Sequence, residues 1–321
     1  MNILITGAAG FIGSTISLEL CKKKSNKVYG IDNLDSYSGN KIKKLRLKIL
    51  SKNKNFYFTK IDLSKRKKIE NYIKNKKFDL VLHFGALVGV RYSLERPEKY
   101  ISANINSFFN LLNSFKNHKP KKIIYASSSS VYGETKKFPV FEKDNLNPKN
   151  IYALSKVNNE QMAEVFSKNF NTKFVGLRLF TVFGEMGRPD MFLFKILKSY
   201  YKKKIFYLNN KGNHFRDFTY IQDVKIYILK LIQNNNYSNH EIFNICSNRP
   251  INLIKVIDYL KNKLGQIKIK NIPIHKADVY KTHGSNKKIK KITKINQNTD
   301  YKTAIDNTIN WYEKYKVFNL D

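Results

Sequence analysis

A chain of 321 residues that is 42% hydrophobic can bury a substantial core, in one large or two smaller domains, and is neither fibrous nor disordered. Lys and Arg total 60 against 24 Asp and Glu, a net charge of +36, yet the lysines are spread along the chain rather than gathered in a tail. A solvated basic surface is therefore expected, and a nucleic-acid partner is not. The two cysteines, Cys21 and Cys246, come without Cys-x-x-Cys or a His cluster, so a disulfide framework and a bound metal are not expected, and a reducing, cytoplasmic setting is.

Asn2-Ile-Leu-Ile-Thr6 reads as a buried parallel strand that runs directly into Gly7-Ala-Ala-Gly10-Phe11-Ile12-Gly13. Apolar residues at helical spacing follow, so the glycines fall on a strand-to-helix turn. Such a turn lets a pyrophosphate approach the backbone and presents it with free N–H groups and a positive dipole. A second strand, Lys27 to Ile31, ends in Asp32 and then Asn33, where an acid receives the adenosine ribose. An Asp there accepts from a 2′-hydroxyl and repels a 2′-phosphate, which predicts NAD over NADP.

The stretch 33–55 is polar and basic, with a helix from about Lys41 to Leu50, and reads as a surface connection. Strands are predicted at Asn55 to Thr59, with Asp62 and Leu63 after it, and at Asp79 to Phe84, with Gly85 and Ala86 after it. His83 lacks a metal partner and reads as a core residue. Val88 to Ser93 is expected to be a loop carrying Arg91, followed by a helix from about Pro97 to Lys116 that includes Asn104. No run of about 18 apolar residues is present to span a bilayer, and the early first strand leaves no room for a signal peptide.

Lys122-Ile-Ile-Tyr-Ala126 then delivers a run of serines, Ser127 to Ser130, and a helix carries Tyr152 and Lys156 four residues apart. That spacing puts a phenol and an ammonium on one helix face. A phenol titrating near ~10 is a poor base at neutral pH, and a fixed cation beside it favours the phenolate. Strands alternate with helices to about residue 180, the pattern of a doubly wound α/β parallel (Rossmann) sheet whose ligands sit at the strand carboxyl ends. The expected division is a cofactor-binding domain of residues 1–178 with about 218–247, and a smaller interleaved substrate-binding domain of 179–217 and 248–321.

With these motifs the chain resembles the extended short-chain dehydrogenase/reductase family, and specifically its nucleotide-sugar epimerases. The pattern nearest to it is that of the enzymes acting on UDP-glucuronate, on Gly89-Val-Arg-Tyr-Ser-Leu94, Gly187-Arg-Pro-Asp-Met191 and Arg216-Asp-Phe-Thr-Tyr220. The resemblance implies that Ser128, Tyr152 and Lys156 do the chemistry. It implies an NAD site of Gly7, Gly10, Phe11, Ile12, Gly13, Asp32, Asn33, Asp62, Leu63, Gly85, Ala86 and Asn104, joined by Tyr152 and Lys156. For the sugar nucleotide it suggests Arg216 on the diphosphate and Arg188 on a carboxylate, with Arg91, Ser129, Thr181, Met191 and Asp278 as further contacts.

Relatives that dehydrate or decarboxylate their substrate carry an acid just after the catalytic hydroxyl, where this chain has Ser129 and Ser130, which favours plain epimerisation. Phe84-Gly85-Ala86-Leu87 stands where relatives commonly have Leu-Ala-Ala-Gln, and Lys276 to Tyr280 matches the family's late substrate loop only loosely. Which of the serines acts, Ser127, Ser128 or Ser129, stays open in the sequence. The implied reaction is reversible 4-epimerisation of UDP-glucuronate to UDP-galacturonate through a 4-keto sugar, in a homodimer that supplies galacturonate for a surface polysaccharide. The alternatives are 4-epimerisation of a neutral UDP-hexose, and dehydration or reduction of a sugar nucleotide on the same fold.

Overall fold

A computed structural model describes residues 1–274 and 278–320. The first half alternates β1 (Asn2–Thr6), α1 (Phe11–Cys21), β2 (Lys27–Asp32), α2 (Asn40–Leu50), β3 (Phe56–Lys60), α3 (Arg66–Ile73) and β4 (Leu80–His83). After β4 come α4 (Val90–Glu95), α5 (Pro97–Tyr100), a π-helical stretch (Ile101–Asn106) and α6 (Ser107–Asn113). The segment around Arg91, expected as a loop, is thus a short helix. β5 (Lys122–Ser128), α7 (Ile151–Asn169) and β6 (Lys173–Leu179) complete this half.

The second half contains β7 (Thr181–Phe183), α8 (Phe192–Tyr201), β8 (Phe206–Asn209), β9 (Phe215–Tyr220), α9 (Ile221–Gln233) and β10 (His240–Ile245). It closes with β11 (Pro250–Asn252), α10 (Leu253–Leu264), β12 (Ile269–Ile272), α11 (Lys287–Thr293) and α12 (Tyr301–Lys314).

Seven strands form one sheet in the order β10-β6-β5-β4-β1-β2-β3, every neighbouring pair parallel. Side chains alternate across it as a period of two requires. Ile3 and Ile5 of β1 pack with Ile16 and Leu20 of α1 and Val224 and Ile228 of α9. Leu4 between them faces the opposite layer, with Ile69 of α3, Phe108 of α6 and Ala163 of α7. Both faces are covered, as an all-parallel sheet demands. β7 and β9 pair in parallel and β11 joins antiparallel, while β8 and β12 form a parallel pair. Among the described residues no helix is long and apolar enough to cross a membrane.

The order of the strands reverses between β1 and β4, opening a crevice beyond their carboxyl ends. Behind that crevice a buried ion pair ties β6 to α7. Arg178 donates from Nε to Glu160 Oε1 at 2.9 Å and from Nη2 to Oε2 at 2.8 Å, and from Nη1 to Tyr132 Oη at 2.8 Å. Ser127 Oγ, at the end of β5, donates to Glu160 Oε1 at 2.5 Å. Glu160 would therefore be left as an unpaired buried charge in Arg178→Met, which should lose about 3–5 kcal/mol of stability in urea denaturation. A loss under about 1 kcal/mol would show that the pair does not hold these elements together.

Candidate active site

The crevice is a cleft of about 380 Å³ that Gly7, Asp32, Asp62, Gly85, Ser128, Tyr152, Lys156 and Arg188 all line. At its floor the glycines are sterically required. A Cβ on Gly7, whose φ is +67°, would lie 2.7 Å from backbone atoms of Phe84 and Gly85, and one on Gly13 would lie 2.2 Å from Gly7 O. α1 begins at Gly10 with no side-chain cap, so its first N–H groups are left for an anion in the cleft.

Asp32 Oδ2 accepts from Ala9 N at 3.2 Å, and Oδ1 accepts from Leu34 N at 2.8 Å and from Lys43 Nζ at 3.3 Å. Asp62 closes a local turn by accepting from the backbone and hydroxyl of Ser64, and lines the cleft beside Leu63. Phe11, Ile12, Asn33 and Ala86 also line it. A glycine turn too tight for side chains, an uncapped helix and an acid one strand away fit a dinucleotide.

The other end of the cleft is built by β5 and α7. Asn150 caps α7 by accepting from Ala153 N, fixing the helix just before Tyr152. The Tyr152 ring meets the edge of the buried Tyr100 ring at 6.1 Å between centroids, and Tyr100 Oη donates to Val88 O and Gly89 O. One turn on, Lys156 Nζ donates to Ala126 O at 2.9 Å. Burial pushes the Tyr152 phenol above its ordinary range, while the Ser128 hydroxyl and the Arg188 charge pull the other way. Burial also lowers the Lys156 ammonium to about 8, and the Glu160 carboxylate works against that loss.

The serines are distinguished by their partners. Ser127 and Ser128 both line the cleft with Tyr152, but Ser127 is engaged with Glu160, whereas Ser128 donates to Ser130 Oγ at 3.1 Å. Ser129 does not line the cleft. His83 is in the core: its Nδ1 is hydrogen-bonded to Thr6 Oγ1 at 2.8 Å, and the same hydroxyl oxygen accepts from Gly85 N. Burial, with the Lys156 charge, lowers this imidazole to about 3, so it is neutral.

Several predicted contacts fall elsewhere. Asn104 is fully buried behind the cleft and holds Leu87, accepting from its N at 2.7 Å and donating to its O at 3.0 Å. Arg91 and Asp278 meet each other, Nη2 to Oδ2 at 2.8 Å, and neither lines the cleft. Arg216 Nη1 donates to Phe215 O and Tyr280 O, outside the main cleft. Thr181 lines a small neighbouring pocket of about 20 Å³ that Arg188 and Met191 share with the cleft. Lys276 and Ala277 of the late loop lie outside the described residues.

The stretch 33–55 is more than the surface connection expected from its polarity. Its helix α2 sends Lys43 to the cleft and fully buries Arg46, three positions apart on one face. A Lys/Arg pair at that spacing was visible in the sequence, but in so basic a chain nothing marked it as inward. Lys99 and Ser102 join the lining as well.

This arrangement, a glycine turn at the switch point with Ser, Tyr and Lys at the adjacent strand end, defines a dinucleotide-dependent enzyme of the short-chain dehydrogenase/reductase type. Residues 3–246 match the model of the NAD dependent epimerase/dehydratase family. The UDP-glucuronate 4-epimerase of Thermodesulfobacterium geofontis is 32% identical, over 96% of this chain and 95% of its own. The crystal structure of UDP-glucuronic acid 4-epimerase from Bacillus cereus, with UDP-glucuronic acid and NAD, superposes with a TM-score of 0.92 at 28% identity, covering 98% of this chain and 100% of that one. A UDP-N-acetylglucosamine 4-epimerase from Methanobrevibacter ruminantium superposes at 0.87 with 26% identity, covering 98% of both chains.

The chain belongs to the NAD dependent epimerase/dehydratase family. It is an isomerase of the nucleotide-sugar epimerase type, and its cofactor is NAD.

Because Lys156 is cationic only below about pH 8, the turnover rate at saturating NAD should fall with single-proton slope above that pH. Lys156→Met should abolish this limb and slow turnover by about 10²–10⁴-fold. A limb that persists in Lys156→Met would assign the titration to another group.

Proposed function

We propose that the enzyme interconverts UDP-glucuronate and UDP-galacturonate by reversible epimerisation at C4. The observation that carries this reading is Arg188, whose guanidinium lines the same cleft as Tyr152 and lies near enough for its charge to act on the phenol. Its Nε and Nη2 engage Asp190, at 3.0 Å for Nε to Oδ1. The Nη1 side carries no hydrogen bond to a described residue and is left to meet a sugar carboxylate end-on, where a guanidinium donates two parallel bonds.

In this reading residues 1–178 with about 218–247 hold the cofactor, and 179–217 with 248–321 hold the substrate. Gly7, Gly10 and Gly13 seat the pyrophosphate, and Asp32 takes the adenosine ribose. NAD, when bound, supplies reversible two-electron oxidation of the sugar at C4. Tyr152, assisted by the Lys156 charge, takes the proton from the 4-hydroxyl, with Ser128 bonded to that oxygen. After the 4-keto sugar has presented its other face, Tyr152 returns the proton.

The 4-keto uronate carries a carboxylate on the carbon next to its ketone, and it loses carbon dioxide when that bond aligns with the carbonyl π system. Arg188 holds the carboxylate out of that alignment. The absence of an acid at Ser129 and Ser130 leaves nothing there to expel a neighbouring hydroxyl. Arg216 meets the diphosphate from β9.

A homodimer is part of this proposal. The π-helical stretch and α6 expose Ile101 and Phe109, and α7 exposes Leu154 and Val165, at 46, 43, 42 and 57% of their surface respectively. Phe109 already contacts the α7 ring of Phe166 at 6.5 Å, so the two helices present one apolar face, suited to the same face of a second copy. Phe109→Glu combined with Val165→Glu should halve the mass measured by light scattering; an unchanged mass would place any dimer contact elsewhere.

Incubation with UDP-glucuronate, followed by proton NMR, should show galacturonate accumulate with no pentose and no net NADH. Arg188→Ala should cut UDP-glucuronate turnover by at least about tenfold more than UDP-glucose turnover, the scale of a charge-assisted hydrogen bond. Equal losses would sink the carboxylate assignment and favour a neutral UDP-hexose as substrate.

A further inference from the structure

α2 carries a cation that nothing so far has used. Arg46 has 0% exposure, and its guanidinium faces backbone carbonyls rather than a carboxylate. Nε donates to Met186 O at 3.0 Å, and Nη2 donates to Met186 O and Gly187 O, each at 2.7 Å. From the other side of the fork, Nη1 donates to Ala9 O at 3.0 Å. One side chain thus joins the glycine turn that seats the cofactor to the two residues immediately before Arg188.

A second contact docks the same loop on the same segment. Gly39, at the start of α2 with φ +87°, lies so close to Pro189 that an added Cβ would sit 3.1 Å from its Cγ. Arg188 is therefore bracketed, with Gly187 held by Arg46 on one side and Pro189 packed on Gly39 on the other. Met186 adopts a left-handed φ of +59°, a conformation that two bonds to its carbonyl help to hold.

We propose that Arg46 is a positioning residue: by clamping the Met186 and Gly187 carbonyls to the glycine turn, it fixes Arg188 at the reacting end of the sugar. This rests on the reading that Arg188 meets the substrate carboxylate. The planar fork reaches the three carbonyls from separate nitrogens, Nη1 on one side and Nε with Nη2 on the other, a span that the single nitrogen of a lysine at this position lacks. Arg46 itself does not touch the substrate. Its effect is on the geometry of Arg188, where a displacement of about 1 Å is costly to a directional contact.

The test is a double-mutant cycle read as binding, with saturating NAD, in a Tyr152→Phe background so that the bound sugar is not turned over. Dissociation constants for UDP-glucuronate and UDP-glucose are measured by titration calorimetry for Arg46→Lys, Arg46→Met, Arg188→Ala and the combinations. Melting temperature and NAD affinity are recorded for each.

Arg46→Lys should weaken UDP-glucuronate by about tenfold more than UDP-glucose, the scale of a charge-assisted bond, with NAD binding retained. Added to Arg188→Ala, it should cost no further selectivity, because the selectivity passes through Arg188. If Arg188→Ala is selective and both Arg46 variants are not, the clamp is overturned and the carboxylate reading stands. If Arg188→Ala is itself unselective, the carboxylate reading fails and the clamp fails with it. If both Arg46 variants lose NAD binding and melt early, Arg46 serves the whole fold and the assignment is likewise overturned.

Discussion

A contact of backbone on backbone sets the rest of this structure: the glycine turn after β1 lies against the end of β4 with no room for a side chain between them. At Gly7 a single added carbon would collide with Phe84 and Gly85, and at Gly13 with the turn itself. That approach brings the first and fourth strands side by side, makes the crevice where the strand order reverses, and aims the first turn of α1 into it. Asp32, Ser128 and Leu179, at the carboxyl ends of β2, β5 and β6, then face one space.

Within that space the charge states of Tyr152 and Lys156 depend on how burial is divided between neighbours. Taking Tyr152 out of water makes its phenol harder to ionise, and taking Lys156 out of water makes its ammonium easier to lose. Each effect alone would disable the pair. Glu160, one turn beyond Lys156, counters the second, and it is itself held by the two-pronged grip of Arg178. The Ser-Tyr-Lys constellation therefore rests on a second, fully internal charge pair that never reaches the cleft.

The few arginines divide by task in a chain that otherwise uses lysine. Arg178 and Arg46 are internal and spread their planar forks over several acceptors at once. Arg188 stands at the cleft, and Arg91, outside its lining, pairs with Asp278. Lysine supplies most of the remaining positive charge.

What the sequence by itself determined was the local grammar: short apolar runs ending in Gly, Asp or Ser, and helical periodicity between them. That was enough for the alternating fold, for the strand bounds to within a residue or so at β1, β2 and β4, and for grouping Gly7, Asp32, Gly85 and Ser128 at strand ends, because a buried strand and a tight turn each demand particular residue types in particular order. The helix at Val90–Glu95 was not legible, since it is only six residues long and its pattern is short of two turns.

Only the tertiary structure decided direction and partner. Asn104 turned inward to a backbone segment instead of the cleft, Arg91 and Asp278 found each other, and the polar stretch 33–55 sent Lys43 and Arg46 inside. In a chain this basic, an inward cation reads the same as an outward one until the acceptors that stabilise it, carbonyls at positions 9, 186 and 187 distant in sequence, are brought around it by the fold.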